Sequence, residues 1–115
     1  MEQPAERRRE PRLPIVTEVY EQKTCNSLGH TADINAQGMM LVAKGQFNIG
    51  EEKRVSMDIP NGKKKPIRTS LTAQCRWCEP HLDTPFNNCG FKFIYPSPYD
   101  GEYIETLFMG LTKQY

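Results

Sequence analysis

Apolar and polar residues alternate along most of this 115-residue chain, with the period of half-buried strands whose successive side chains point to opposite faces. Val16 and Val19-Tyr20 supply the apolar bulk of a first strand over 15–21, which runs into the turn cluster Asn26-Ser27-Leu28-Gly29. Further strands are expected over 30–35, 39–42 and 54–59; in the last, Val55, Met57 and Ile59 alternate with Ser56 and Asp58. Asn61-Gly62 predicts a hairpin because both residues tolerate positive φ. Beyond it, Ile67, Thr69, Leu71, Ala73, Cys75 and Trp77 share one face of a long strand, with Arg68, Ser70, Thr72, Gln74 and Arg76 on the other. Phe91, Phe93 and Tyr95 mark a sixth strand over 90–95. The period then changes: Ile104, Leu107, Phe108 and Leu111 recur at helical spacing behind Ser97-Pro98-Tyr99-Asp100, which reads as an N-cap, a proline at the first helical position and an acidic residue in the first turn. Gly101 and Gly110 each cost such a helix roughly 1 kcal/mol relative to alanine, so docking of its apolar stripe must hold it. The pattern as a whole predicts a mostly β fold: a small six-stranded antiparallel β-barrel with a C-terminal α-helix over one end or side.

Residues 1–12, MEQPAERRREPR, follow neither period and are expected to form a flexible basic arm outside the barrel, which then occupies 13–115. A formal net charge of +1 with 37% hydrophobic residues fits one domain and argues against a general nucleic-acid or anionic-membrane binder. Any anion site must be local. No apolar run is long enough to span a bilayer, and the charged N-terminal stretch is unlike a signal peptide, so a cytoplasmic protein without membrane insertion is expected. Lys63-Lys64-Lys65 at the hairpin tip reads as a solvated loop.

Cys75-Arg-Trp-Cys78 has the spacing of metal ligands, but no second cysteine pair or histidine pair completes a set, and an uninterrupted strand would turn Cys78 away from Cys75. Cys25, Cys75, Cys78 and Cys89 are therefore expected to be unpaired thiols, with no metal.

Two clusters carry binding chemistry. In Arg7-Arg8-Arg9-Glu10-Pro11-Arg12, the planar guanidinium fork suits a phosphate or the O6/N7 edge of guanine and can stack on a base. In Asp33-Ile34-Asn35-Ala36-Gln37-Gly38, an extended backbone would aim Asp33 and Asn35 to one side and Ile34 into the core. A carboxylate there matches the N1–H and N2–H donors of guanine, while Gly38 permits a turn or a close backbone approach. Each string alone is ordinary: a basic tail and a polar turn.

Their order is not ordinary. Arg8-x-x-x-Arg12 ahead of a barrel, followed by Asp33-x-Asn35-x-x-Gly38, resembles the paired signature of PilZ domains, Arg-x-x-x-Arg and [Asp/Asn]-x-Ser-x-x-Gly. Gln74-Cys75-Arg76-Trp77 and Cys89-Gly90-Phe91-Lys92-Phe93 resemble the family's late strand pair, and the likeness extends over about residues 7–110. The resemblance implies a receptor for cyclic di-GMP whose arm folds over the barrel on binding. Carried over, Arg8 and Arg12 form the clamp, with Arg7 and Arg9 as possible supports, and Asp33, Asn35 and Gly38 form the platform. Asn35 stands where the pattern has serine, so weakened but retained binding is expected. The expected output is exerted in trans on an unidentified protein partner, because one barrel leaves little room for an effector of its own.

No catalytic constellation accompanies His30 or His81, and no phosphate-cradling glycine loop is present, so no enzymatic activity and no cofactor beyond the ligand are expected. The alternative is a divergent PilZ-like interaction module that does not bind the nucleotide. Single-strand nucleic-acid binding would need exposed aromatics along a basic groove, whereas the aromatics here fall mostly on expected core faces.

Overall fold

The computed structural model describes residues 13–112. Arg7, Arg8, Arg9 and Arg12, the expected clamp and its supports, lie outside the described residues. Six strands, β1 (Glu18–Glu21), β2 (Ser27–Ile34), β3 (Gly38–Ala43), β4 (Glu52–Asn61), β5 (Lys64–Pro80) and β6 (Asn87–Ile94), precede one helix, α1 (Pro98–Thr112). All pairings are antiparallel, and the order β1-β2-β3-β6-β5-β4 closes into a barrel.

The alternation that predicted the strands also fills the barrel. Val55, Met57 and Ile59 of β4 point inward, as do Leu71, Ala73 and Cys75 of β5, and all six are buried with Val19, Ile34, Met39, Leu41, Phe91 and Phe93. Burying one such aliphatic or phenyl side chain contributes about 1.5–3 kcal/mol, so this lining is the main stabilising term. Among the buried polar groups, Thr31 is satisfied locally: its hydroxyl donates to the Ile15 carbonyl at 2.6 Å and accepts the Thr17 N–H at 3.0 Å.

Several strand ends differ by a few residues from the sequence expectation, and three of the differences have a visible cause. Residues 15–17 run alongside β2 without forming regular strand, and β1 starts at Glu18. Pro14 has no N–H to give a ladder, and the hydroxyls of Thr17 and Thr31 take over part of the bonding. The first turn spans 22–26 rather than 26–29, with Cys25 at φ 64° and its N–H bonded to the Glu21 carbonyl at 2.8 Å. In the β4–β5 hairpin, Asn61 pairs with Lys64, so Gly62 at φ 60° and Lys63 occupy the two central positions instead of Asn61-Gly62.

The helix begins as its sequence predicts. The Ser97 hydroxyl donates to Asp100 Oδ2 at 3.2 Å, the Asp100 N–H reaches the Ser97 carbonyl at 3.2 Å, and Ile104 and Phe108 are buried in the same core as the strands. No helix among the described residues is long and apolar enough to cross a membrane.

Candidate functional site

The Asp33–Gly38 segment is a strand end and a turn. β2 stops at Ile34, which is fully buried, and the polypeptide returns into β3 at Gly38. An irregularity between Thr31 and Asp33 inserts Ala32 as an extra residue, so that Thr31 and Ile34 both face inward while Asp33 faces the outer surface.

Asn35 is 4% exposed, and its side-chain oxygen accepts the N–H of Gln37 at 2.8 Å and of Gly38 at 3.1 Å. Its own N–H donates to the Gly38 carbonyl at 2.9 Å. Asn35 therefore builds the turn from within, a self-capping role open to Asn and Asp and, more weakly, to Ser. An outward platform shared by Asp33 and Asn35 would need strand to continue through 35, and it does not.

Gly38 is required by a neighbouring strand. A Cβ built there would lie 2.1 Å from the Phe91 carbonyl oxygen of β6, closer than any real contact. The turn is further tied to β6 by the Phe93 N–H, which donates to the Gln37 carbonyl at 2.8 Å.

The facing wall comes from β5 and β6, where the expected alternation breaks. Cys75 pairs with Phe91 but Trp77 pairs with Gly90, so Arg76 is an extra residue and every side chain after it changes face. Trp77, expected in the core, is 40% exposed on the outer surface. Its indole lies flat on Gly90, where a Cβ would meet Nε1 at 2.0 Å.

The same phase change turns Cys78 toward Cys89, at a Cα–Cα distance of 4.1 Å with the two sulfurs in contact, the placement of a cross-strand disulfide. The expectation of four unpaired thiols thus holds only for Cys25 and Cys75. Burial pushes the Cys75 thiol above the usual range.

Between the two walls runs an open groove of about 820 Å³. Asp33, Gln37 and Gly38 line one side, Arg76, Trp77 and Gly90 the other, with Lys92 and Tyr95 between them. Leu13 opens the described chain at one end of this region: it exchanges backbone hydrogen bonds with Ile34, at 2.9 and 3.1 Å. The residue that follows Arg12 is thus fixed beside the turn. A carboxylate, two side-chain cations and an exposed indole around one groove can hydrogen-bond a purine edge, neutralise phosphate and stack on a base.

The family model for the PilZ domain matches residues 6–110. The chain belongs to the PilZ domain family. Among solved structures, this PilZ domain is similar to the Bacillus subtilis inhibitor of motility (MotI/DgrA), with a TM-score of 0.72 and 20% identity over 95% of this chain and 51% of that one. It spans about half the length of that neighbour, and likeness at this identity concerns the fold. No curated protein matches the chain.

Of the three residues expected to form the platform, Asp33 and Gly38 line the groove, whereas Asn35 is buried within the turn and does not. Arg76, Trp77, Lys92 and Tyr95 are the groove residues that sequence periodicity did not single out as a site. Gly90 was the available signal. A glycine inside a strand marks a bulge or a close approach, here that of Trp77.

Proposed function

We propose that this PilZ domain is a receptor for cyclic di-GMP that acts in the cytoplasm on a protein partner. The observation that carries the reading is the groove itself, in which the family's Asp-x-x-x-x-Gly turn faces an exposed Trp77 flanked by Arg76 and Lys92. Its volume lies in the range common for small-ligand sites.

In this reading Asp33 accepts guanine N1–H and N2–H, the Trp77 face stacks on a guanine base, and Arg76 and Lys92 offset phosphate charge. Arg8 and Arg12 close over the ligand from the arm, with Arg7 and Arg9 in support. Arg8 lies five residues before Leu13, so a fully extended chain lets it reach at most about 18 Å from that anchor. Asn35 shapes the turn and reads no ligand edge. Its replacement of the family's serine is therefore a substitution of one turn-building side chain by another, and gives little support to a module that ignores the nucleotide. No metal or prosthetic group is required.

PilZ domains are regulatory receptors and adaptors. The neighbour named as an inhibitor of motility fits a regulatory output on another protein. Ordering of a charged arm by the ligand would present such a partner with a new surface.

Calorimetric titration with cyclic di-GMP, using GTP and cyclic di-AMP as controls, tests the reading. Saturable, selective binding that Arg8→Ala or Arg12→Ala reduces at least ten-fold, with thermal stability retained, is expected. Absence of binding at high ligand concentration would leave the nucleotide-independent interaction module.

A further inference from the structure

Tyr95 follows β6 and borders two hollows at once. On one side is the groove described above; on the other is a smaller hollow of about 270 Å³, bordered by Arg68, Thr69 and Leu71 of β5 and by Asp100, Tyr103 and Ile104 of α1. The phenol hydroxyl donates to the Ala36 carbonyl, inside the turn that Asn35 caps. The ring packs against the first turn of α1, where a Cβ on Gly101 would lie 3.3 Å from Cδ2. Phe93, edge-on to the Tyr95 ring at a centroid distance of 6.5 Å, is tied to the same turn through its N–H to the Gln37 carbonyl.

One stiff side chain thus joins the turn on the groove to the start of the helix. We propose that Tyr95 is the positioning residue that couples the 35–38 turn to the seating of α1, so that a ligand held by the turn is felt at the helix. The ligand step rests on the cyclic di-GMP reading; the mechanical link between turn and helix does not.

The physical basis is that one side chain touches both sites. A shift of the Ala36 carbonyl moves the hydroxyl bonded to it, and the ring lies so close to the first turn of α1 that a single methyl at Gly101 would crowd it. Gly101, which weakens the helix by propensity, makes room for this contact. The helix face that would change position carries Tyr99 and Tyr103, both exposed. Because coupling is reciprocal, a perturbation at the helix must return to the turn with equal free energy.

Amide hydrogen exchange on the whole chain tests the link without ligand. Tyr95→Phe removes the hydroxyl but keeps the ring against Gly101; Gly101→Ala pushes on the ring without touching the groove. Tyr95→Phe should speed exchange several-fold at both the Gln37 and Gly38 amides and over 102–108. Gly101→Ala should alter exchange at Gln37 and Gly38 although it lies on the helix. Changes confined to the mutated side in both variants would overturn the proposal.

With ligand, wild-type α1 exchange should shift on adding cyclic di-GMP. Tyr95→Phe should bind about five- to ten-fold more weakly, the scale of one lost hydrogen bond, and lose that shift. A variant with wild-type affinity and an unchanged helix response would overturn it as well. If the wild type binds no cyclic di-GMP, the ligand reading fails while the exchange results still decide the coupling.

Discussion

The two walls of the groove are built on different plans. One is a local turn within Asp33–Gly38, shaped by the hydrogen bonds that Asn35 makes to Gln37 and Gly38 and tied to its surroundings through Phe93 and Tyr95. The other is non-local: Arg76 and Trp77 reach the groove because one extra residue in β5 inverts the strand's phase against β6. A local wall can be read as a motif, since spacing along the chain fixes its shape. A wall made by a register change cannot, because the change is set by how two strands distant in sequence pair.

The comparison can be broken most directly at Gly38. Gly38→Val drives a side chain into the Phe91 carbonyl and should cost about 3 kcal/mol or more. That corresponds to a fall of more than about 10 °C in thermal midpoint, measured by circular dichroism. A midpoint within two or three degrees of wild type, on the order of 0.5 kcal/mol, would mean that the turn is not braced against β6.

Trp77→Ala sharpens the contrast, because that wall should carry affinity rather than stability. Loss of an exposed stacking face predicts roughly 10- to 100-fold weaker cyclic di-GMP binding, with the thermal midpoint nearly unchanged. Gly90→Ala should displace the indole and lower affinity in the same direction, and the two changes together should cost little more than Trp77→Ala alone. Full additivity in calorimetry would show that Gly90 acts by some other route.

Asn35→Ala removes the cap of two backbone amides, with an expected loss of about 1–2 kcal/mol in denaturant unfolding. Asn35→Ser should recover most of that stability and keep affinity within about three-fold of wild type, as befits a hydroxyl able to make a similar turn bond. A much larger affinity loss on Asn35→Ser would give Asn35 a direct part in ligand contact.

The smallest effect is chemical. Under native, non-reducing conditions a maleimide should label Cys25, which is exposed, and spare Cys75, which is buried with its thiol pushed up in pKa. Cys78 and Cys89 should label only after reduction, by mass spectrometry of the peptides. Ready native labelling of Cys78 would argue that the bulge at Arg76 is absent in solution.

Much of this molecule was legible before its structure. Alternation of Val55, Met57 and Ile59, or of Leu71, Ala73 and Cys75, is enforced by the pleat, and burial followed it. The start of α1 was legible from its punctuation: a serine followed by a proline ahead of a helical period is where a helix begins. Ile34 lies in the core as expected, whereas Asn35, expected to share a strand face with Asp33, lies in the turn, because nothing in the spacing says where a strand stops. Trp77 and Cys78 were misassigned for a single cause, the insertion at Arg76, which a period of two cannot anticipate. One shift of phase moved an aromatic out to the groove and a thiol in toward its partner.

Closure of the barrel has a consequence for how this domain can speak to other proteins. Each of its six strands has a hydrogen-bonded neighbour on both sides over at least part of its length, so among the described residues the sheet has no edge strand. Recognition by adding a strand, the route that needs only backbone and tolerates almost any partner sequence, is left only the strand ends that outrun their second neighbour, such as 76–80 of β5. Along the rest of the barrel a partner must read side chains and loops, which ties the choice of partner to individual surface residues.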